Sequence, residues 1–188
     1  MPTQEVEIKF LLSDLKALTR KLRAAGFRVR ERRAHESNTL YDLPGQVLRN
    51  RGELLRLRKY GKSWLLTHKG RGTAGRHKSR AETETPVADG ARMDALLRAL
   101  GFEPTFRYEK YRTGWSDGRG HVLVDETPIG NVAEIEGTPR WIDRTARALG
   151  VSERDYITDS YLAMFFAWKA RTRSPAEEMT FRAVQRKG

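Results

Sequence analysis

The sequence predicts an α+β protein built on an eight-stranded antiparallel β-barrel with helices packed on its outside. Three observations favour this architecture: eight segments with strand character, a short motif that recurs in both halves of the chain, and a charged face on nearly every strand. At 188 residues, the chain is long enough for a single domain that encloses a cavity.

The strands are predicted where apolar and polar residues alternate, or where β-forming residues stand between turn signals. Gly61 and the Asp117-Gly118 pair suit the tight turns of hairpins. The predicted strands span residues 4–11, 35–42, 54–60, 63–69, 79–87, 105–114, 119–125 and 131–137.

Helices are predicted between the strands, where apolar residues recur at helical spacing. The first carries Leu15, Leu18 and Leu22 on one face and ends at Gly26, a residue typical of helix ends. The predicted helices span residues 14–25, 90–100, 140–149 and 158–170. A loop is expected at 70–77, and a flexible basic tail at 171–188 follows the domain formed by residues 1–170.

A repeated motif divides the chain into two similar halves. Leu22-Arg-Ala-Ala-Gly-Phe27 recurs as Leu97-Arg-Ala-Leu-Gly-Phe102, and each copy has a Glu-x-Glu strand before it and three strands after it. This order indicates two β-α-β-β-β halves. Two twisted four-stranded halves that close on each other lose their free edges and form a barrel.

Composition excludes several classes of protein. The absence of cysteine excludes disulfides and cysteine-based zinc sites, and no apolar run is long enough to span a bilayer. We therefore expect a cytoplasmic protein without a membrane partner. The net charge of +12 indicates an anionic partner or substrate, but no motif for specific nucleic-acid binding is visible. The oligomeric state is open, and a homodimer is one of the alternatives.

The charged strand faces are predicted to point into the barrel. In the first strand, Glu5, Glu7 and Lys9 share one face, and alone this pattern is typical of a strand with one face in water. Other strands repeat it, however, and the amphipathic helices need the apolar faces to pack on. The predicted lumen contains the acids Glu5, Glu7, Glu82, Glu84, Asp125, Glu134 and Glu136 and the bases Lys9, Arg56, Arg58, Lys69, Arg80, Lys110 and Arg112.

Such a lumen suits metal and phosphate. Burying these charges without water would cost several kcal/mol of free energy per ion. A hydrated tunnel that receives ions is therefore favoured. Carboxylates two residues apart on a strand lie roughly 6.5–7 Å apart and can bracket Mg²⁺ or Mn²⁺. Arginine and lysine bind phosphate oxygens.

The ordered motifs resemble those of one known family. The Glu5-x-Glu7-x-Lys9 strand, Leu55-Arg-Leu-Arg58, Arg80-x-Glu82-x-Glu84 and the segment 124–137 are similar, in this order, to the CYTH superfamily, also called triphosphate tunnel metalloenzymes. That family includes class IV adenylate cyclases, thiamine triphosphatases and inorganic tripolyphosphatases. The resemblance covers about residues 4–168 and implies a Mg²⁺ or Mn²⁺ cofactor and a small-molecule triphosphate substrate.

The resemblance also implies roles for individual residues. Metal would be bound by Glu5, Glu7, Glu134 and Glu136, with help from Asp125. The triphosphate would be bound by Lys9, Arg56, Arg58, Lys69, Arg80, Lys110 and Arg112, and catalysis would depend on Glu5, Glu7, Lys9 and Glu136. Supporting roles would belong to Glu82, Glu84 and Tyr161, and Tyr161 would close the tunnel through the C-terminal helix.

Three functions are compatible with this site. The first is hydrolysis of inorganic tripolyphosphate, thiamine triphosphate or a nucleoside triphosphate. The second is conversion of ATP to cyclic AMP and pyrophosphate, because the stretch 127–136 is similar to sequences of class IV cyclases. The third is a non-catalytic module that binds polyphosphate or nucleic acid. The full set of acids argues against the third, since a pure anion binder has little use for them.

Overall fold

The barrel predicted from the sequence is present. The structure is a computed structural model that describes residues 3–73 and 75–185. Its strands are β1 (Thr3–Leu12), β2 (Arg28–Asp42), β3 (Leu54–Tyr60), β4 (Ser63–Lys69), β5 (Lys78–Val87), β6 (Glu103–Ser116), β7 (His121–Thr127) and β8 (Gly130–Glu136). They form a closed antiparallel barrel in the order β1-β5-β4-β3-β2-β6-β7-β8, which confirms the predicted fold class.

Helices cover the outside of the barrel, and the four predicted ones are found within a few residues of their expected bounds. They are α1 (Leu15–Ala24), α2 (Val47–Asn50), α3 (Gly90–Ala99), α4 (Pro139–Leu149), α5 (Tyr161–Thr172) and α6 (Phe181–Gln185), with a 3₁₀ turn at Glu153–Asp155. Within the ranges that the structure describes, none of these helices has the length and apolar character needed to cross a membrane.

The two halves appear in the topology. The chain runs β1-α1-β2-β3-β4 and then β5-α3-β6-β7-β8, with the short α2 inserted between β2 and β3. Exchanging the halves leaves the order of strands around the barrel unchanged, because β1 pairs with β5 and β2 pairs with β6. The repeated motif therefore marks equivalent helix ends: Gly26 and Gly101 both have positive φ angles, of 87° and 88°.

The main apolar core lies outside the barrel. Ile8 of β1, Val122 of β7 and Ile135 of β8 point outward and pack with Leu22 of α1 and Ile142 of α4, and all five side chains are 0% exposed. Because side chains alternate along a strand, this packing turns the charged residues of the same strands inward. Helix packing thus determines that the charged face of each of these strands points into the lumen.

Strand β2 begins earlier than predicted. We expected it at residue 35, but it starts at Arg28 and pairs with the end of β6 through an irregular register. Residues 28–33 are all exposed, and Val29 is the single apolar residue among them, so no repeated apolar–polar alternation is present there. A pattern search that depends on alternation fails in such a segment, and the predicted start is wrong.

The C-terminal segment lies on the barrel as far as the structure describes it. Met179 is fully buried and exchanges backbone hydrogen bonds with β6, accepting from the amide of Glu109 and donating to the carbonyl of Arg107. The Phe181 ring lies 5.4 Å from that of Tyr111. Helix α5 ends at Thr172, so the predicted boundary at residue 170 falls within it. Residues 186–188 of the predicted tail lie outside the described residues.

Replacing Leu22 by alanine should destabilise the barrel strongly. Leu22 is completely buried between α1 and the strands, so its truncation should lower the free energy of unfolding by about 2–5 kcal/mol. Urea denaturation measures the change. Leu11→Ala is the control, because Leu11 is 67% exposed and should change the free energy by less than about 0.5 kcal/mol. Equal effects of the two substitutions would contradict the assignment of the core.

Candidate active site

The barrel encloses a charged cavity of about 440 Å³. This volume lies within the range of ordinary small-molecule sites, roughly 300–1,000 Å³. Of the residues predicted to line it, only Asp125 does not reach the surface of the cavity. Those that line it are Glu5, Glu7, Lys9, Arg56, Arg58, Lys69, Arg80, Glu82, Glu84, Lys110, Arg112, Glu134, Glu136 and Tyr161.

An apolar cluster adjoins the cavity, and its members Tyr108 and Tyr161 line it. Phe106 of β6 and Phe165 of α5 are buried there, and Tyr161 at the start of α5 joins them. The Tyr161 hydroxyl donates a hydrogen bond to Asp125, and the ammonium of Lys110 lies 4.5 Å from the centre of its ring. Helix α5 thus positions Tyr161 between this cluster and the charged residues.

Three carboxylates form an acidic group on β1 and β8. One oxygen from each of Glu5, Glu7 and Glu136 lies within 4.8 Å of the others. Burial and the neighbouring carboxylates, Glu134 first among them, raise the pKa of Glu136 to about 8. Such crowding of like charges is unfavourable without a cation. Hard oxygen donors in this arrangement fit a divalent ion such as Mg²⁺ or Mn²⁺.

Two lysines connect this acidic group to the rest of the lumen. The ammonium of Lys69 lies 2.6 Å from Glu5, and that of Lys9 lies 2.6 Å from Glu7. Burial alone would lower the pKa of Lys9, but Glu7 and Glu134 hold it above its ordinary value. Lys9 therefore stays protonated beside the acidic group, and Lys69 is held there by its ion pair with Glu5.

Asp125 and Glu134 are paired with the bases of β6. Arg112 donates to both Asp125 oxygens, at 2.7 and 2.6 Å, and to Glu134 at 2.5 Å. Lys110 donates to Asp125 at 2.9 Å. Their metal-binding role stays a prediction. In the structure, these two acids hold the guanidinium of Arg112 and the ammonium of Lys110 in place.

The supporting residues predicted on β5 take part in ion pairs. Arg80 donates to Glu5 at 3.3 Å, and Glu82 lies 3.0 Å from the ammonium of Lys69. Glu84 accepts from Arg58 at 2.9 Å and from the hydroxyl of Thr67 at 2.7 Å. The first two pairs join neighbouring strands, whereas the Glu84–Arg58 pair reaches across β4, so β5 links the acidic group to the arginines of β3.

Sequence reasoning missed Glu36 on β2. It is 0% exposed, 3.5 Å from the Lys110 ammonium and 3.9 Å from the guanidinium groups of Arg58 and Arg112. Burial would raise its pKa, but Lys110, Arg112 and the arginines of β3 hold it well below its ordinary value. The alternation of Glu36 with Asn38 on β2 could have identified it.

Lys78 was also missed. It is opposite Glu7 in the β1–β5 register and shares a strand face with Arg80, whose side chain lines the cavity. Burial and repulsion from Lys9 and Arg80 lower its pKa to about 8. Its position two residues before Arg80 places it on the same strand face, and this spacing could have identified it.

With this geometry, the sequence similarity decides the family. The CYTH domain matches residues 3–161 of the chain. The chain belongs to the CYTH domain family. The resemblance inferred from the ordered motifs is thereby confirmed.

Individual proteins extend this relation. The CYTH chain is 25% identical over 171 residues to "Putative adenylate cyclase MJ0240" of Methanocaldococcus jannaschii, and the match covers 85% of the chain and 97% of that protein.

Two solved structures share the fold. A "putative adenylate cyclase" of Vibrio parahaemolyticus has a TM-score of 0.79 at 22% identity, covering 88% of this chain and 99% of the other. A "putative adenylyl cyclase" of Hippeastrum, described as revealing a dominant triphosphatase activity, has a TM-score of 0.61 at 20% identity, covering 87% and 95%. At these identities the likeness shows the fold alone.

Replacing Glu36 by glutamine should destabilise the protein in a pH-dependent way. The folded pKa of Glu36 lies below the ordinary value of 4.5, so the carboxylate stabilises the fold fully above that pH and progressively less below it. We expect Glu36→Gln to lower the free energy of unfolding by about 3 kcal/mol near neutral pH, because it removes a buried counter-ion that Lys110, Arg112 and Arg58 share.

Urea denaturation of both proteins at about pH 7 and about pH 3 measures this difference. The difference between wild type and variant should shrink at the lower pH. A difference that is the same at both values would show that the charge of Glu36 is not what stabilises the barrel.

Proposed function

We propose that this CYTH protein hydrolyses a triphosphate in a metal-dependent reaction inside the barrel. One observation carries the proposal: a cavity of about 440 Å³ holds a group of three carboxylates and, beside and across from it, lysines and arginines suited to phosphate. Phosphoryl transfer needs chiefly positioning and neutralisation of charge, and this lumen offers both.

The roles of the residues follow from where they lie. Glu5, Glu7 and Glu136 would hold Mg²⁺ or Mn²⁺, which supplies Lewis-acid polarisation of a phosphoryl oxygen when bound. Lys9 and Lys69, paired with these acids, would turn toward the phosphate oxygens nearest the acidic group. The remaining phosphate oxygens would be bound by the bases of the other strands, Arg56, Arg58, Lys110 and Arg112.

The bases of β6 are built to keep their charge during binding. Arg112 is held by Asp125 and Glu134, and Lys110 by Asp125, so these donors are oriented before any substrate arrives. Burial would lower the pKa of Arg112, but Asp125 and Glu134 hold it well above its ordinary value. Prearranged donors of this kind stabilise developing negative charge without reorganisation.

A second candidate is the cyclisation of ATP to cyclic AMP and pyrophosphate. The relative from Methanocaldococcus jannaschii carries the name of an adenylate cyclase, and the same lumen could hold ATP with its ribose 3′-hydroxyl directed at the α-phosphorus. The activity described for the Hippeastrum protein, which also carries a cyclase name, supports hydrolysis as the first candidate.

A product assay distinguishes the candidate functions. The purified chain is incubated with tripolyphosphate, thiamine triphosphate or ATP in the presence of Mg²⁺ or Mn²⁺, and the products are separated. Release of inorganic phosphate supports hydrolysis, whereas pyrophosphate together with cyclic AMP supports cyclisation. Binding of all three compounds without turnover would favour a non-catalytic module.

Removing one carboxylate of the acidic group should abolish metal-dependent turnover. Glu136→Gln and Glu7→Gln each take away a charged ligand, so we expect phosphate release to fall by at least about 100-fold at saturating tripolyphosphate, within the range that electrostatic stabilisation of a transition state supplies. Glu103→Gln, at an exposed position on β6, is the control and should retain full activity. Unchanged metal-dependent activity in Glu7→Gln would contradict the metal site.

A further inference from the structure

Lys78 occupies a position beside the acidic group that no motif assigned. In the register of the barrel, Lys78 of β5 is opposite Glu7 of β1, and Glu7 is opposite Glu136 of β8. The three residues therefore form one row across three neighbouring strands. A cation at the end of this row flanks two of the three carboxylates that would hold the metal.

The neighbouring acids are already paired with other bases. Glu7 binds Lys9 at 2.6 Å, and Glu5 binds Lys69 at 2.6 Å and Arg80 at 3.3 Å. Among residues 3–73 and 75–185, by contrast, no carboxylate oxygen lies within 4 Å of the Lys78 ammonium. The lysine is half-buried and repelled by Lys9, Arg80 and Lys69.

The backbone around Lys78 is held in place. The two residues before it are anchored to α4: Arg76 donates to Asp143 at 2.6 Å, and the His77 ring lies 2.8 Å from the same carboxylate. On the other side, the Lys78 side chain passes Gly72, where an added Cβ would lie 3.9 Å from its Cε. The segment that carries Lys78 is therefore fixed, and Lys78, which is not among the residues that line the cavity, lies at its edge.

A half-buried ammonium that neighbouring bases repel gains from an anion beside it. A cation held by Glu7 and Glu136 cannot fill that role, because it adds positive charge to the same row. The favourable partner is an anion that lies next to the metal site. A phosphate oxygen of a bound triphosphate meets both conditions.

We propose that the Lys78 ammonium binds a phosphate oxygen of the substrate beside Glu7 and Glu136. This inference rests on the proposed triphosphatase function and names one further substrate-binding residue of that site. Lys78 then serves as a fixed positive charge that draws a phosphate group to the acidic row, where Lys9 and Arg80 are already neutralised by acids.

Charge-removing and charge-preserving variants test the proposal. Lys78→Met should raise the KM for tripolyphosphate with Mg²⁺ at least about tenfold, the factor that corresponds to one lost charge-assisted contact. Lys78→Arg should stay within about threefold of wild type. Lys62→Met, at an exposed lysine in the turn between β3 and β4, is the matched control and should not change the KM.

Thermal unfolding separates binding from a structural role. Without ligand, Lys78→Met should melt at or above the temperature of wild type, because it removes a repelled charge. The stabilisation by added tripolyphosphate should be smaller than in wild type. A lower melting temperature without ligand, or an unchanged KM in Lys78→Met, would overturn the proposal, as would failure of Lys78→Arg to restore binding.

The same experiments distinguish the lysine assignment from the proposed function. If wild type hydrolyses tripolyphosphate and Lys78→Met does so with the same KM, only the assignment of Lys78 fails. If wild type neither hydrolyses nor is stabilised by tripolyphosphate, thiamine triphosphate or ATP, the triphosphatase function fails, and the assignment of Lys78 fails with it.

Discussion

Mutual neutralisation of charges inside the barrel is the constraint on which the rest of the structure depends. Helices α1 and α4 need the apolar strand faces, and this packing turns the opposite, charged faces inward. The lumen must then place each acid next to a base, because a buried ion without a partner costs several kcal/mol. The Arg112 guanidinium between Asp125 and Glu134, and the Lys9 ammonium beside Glu7, meet this requirement.

The places where this neutralisation is incomplete indicate the chemistry. Glu136 is crowded by Glu134, Glu5 and Glu7, so negative charge is in excess at one point of β8. Lys78 shows the opposite imbalance on the other side of Glu7. A divalent cation and an anionic substrate bound together would correct both excesses at once. The ligands that we propose would thus neutralise the excess charges of the lumen.

The sequence predicted the barrel well because its signals are local and repeat. Alternation gave the strands, and the recurring Leu-Arg-Ala motif gave the two halves. The same method failed at residues 28–34, where charged residues predominate and apolar residues do not alternate with them regularly. It also missed Glu36 and Lys78, whose roles depend on the neighbouring strand. Cross-strand register brings Glu36 to Lys110 and Lys78 to Glu7. The sequence of one strand alone does not determine this register. The packing of Met179 on β6 was not predicted, because it depends on contacts between residues far apart in the sequence.

The most direct test of the account is a crystal structure of the chain with Mn²⁺ and tripolyphosphate. The account predicts an anomalous peak for manganese between the carboxylates of Glu5, Glu7 and Glu136, with phosphate oxygens within hydrogen-bonding distance of Arg56 and Lys110 in the same cavity. Manganese bound elsewhere, or tripolyphosphate bound outside the barrel, would contradict it.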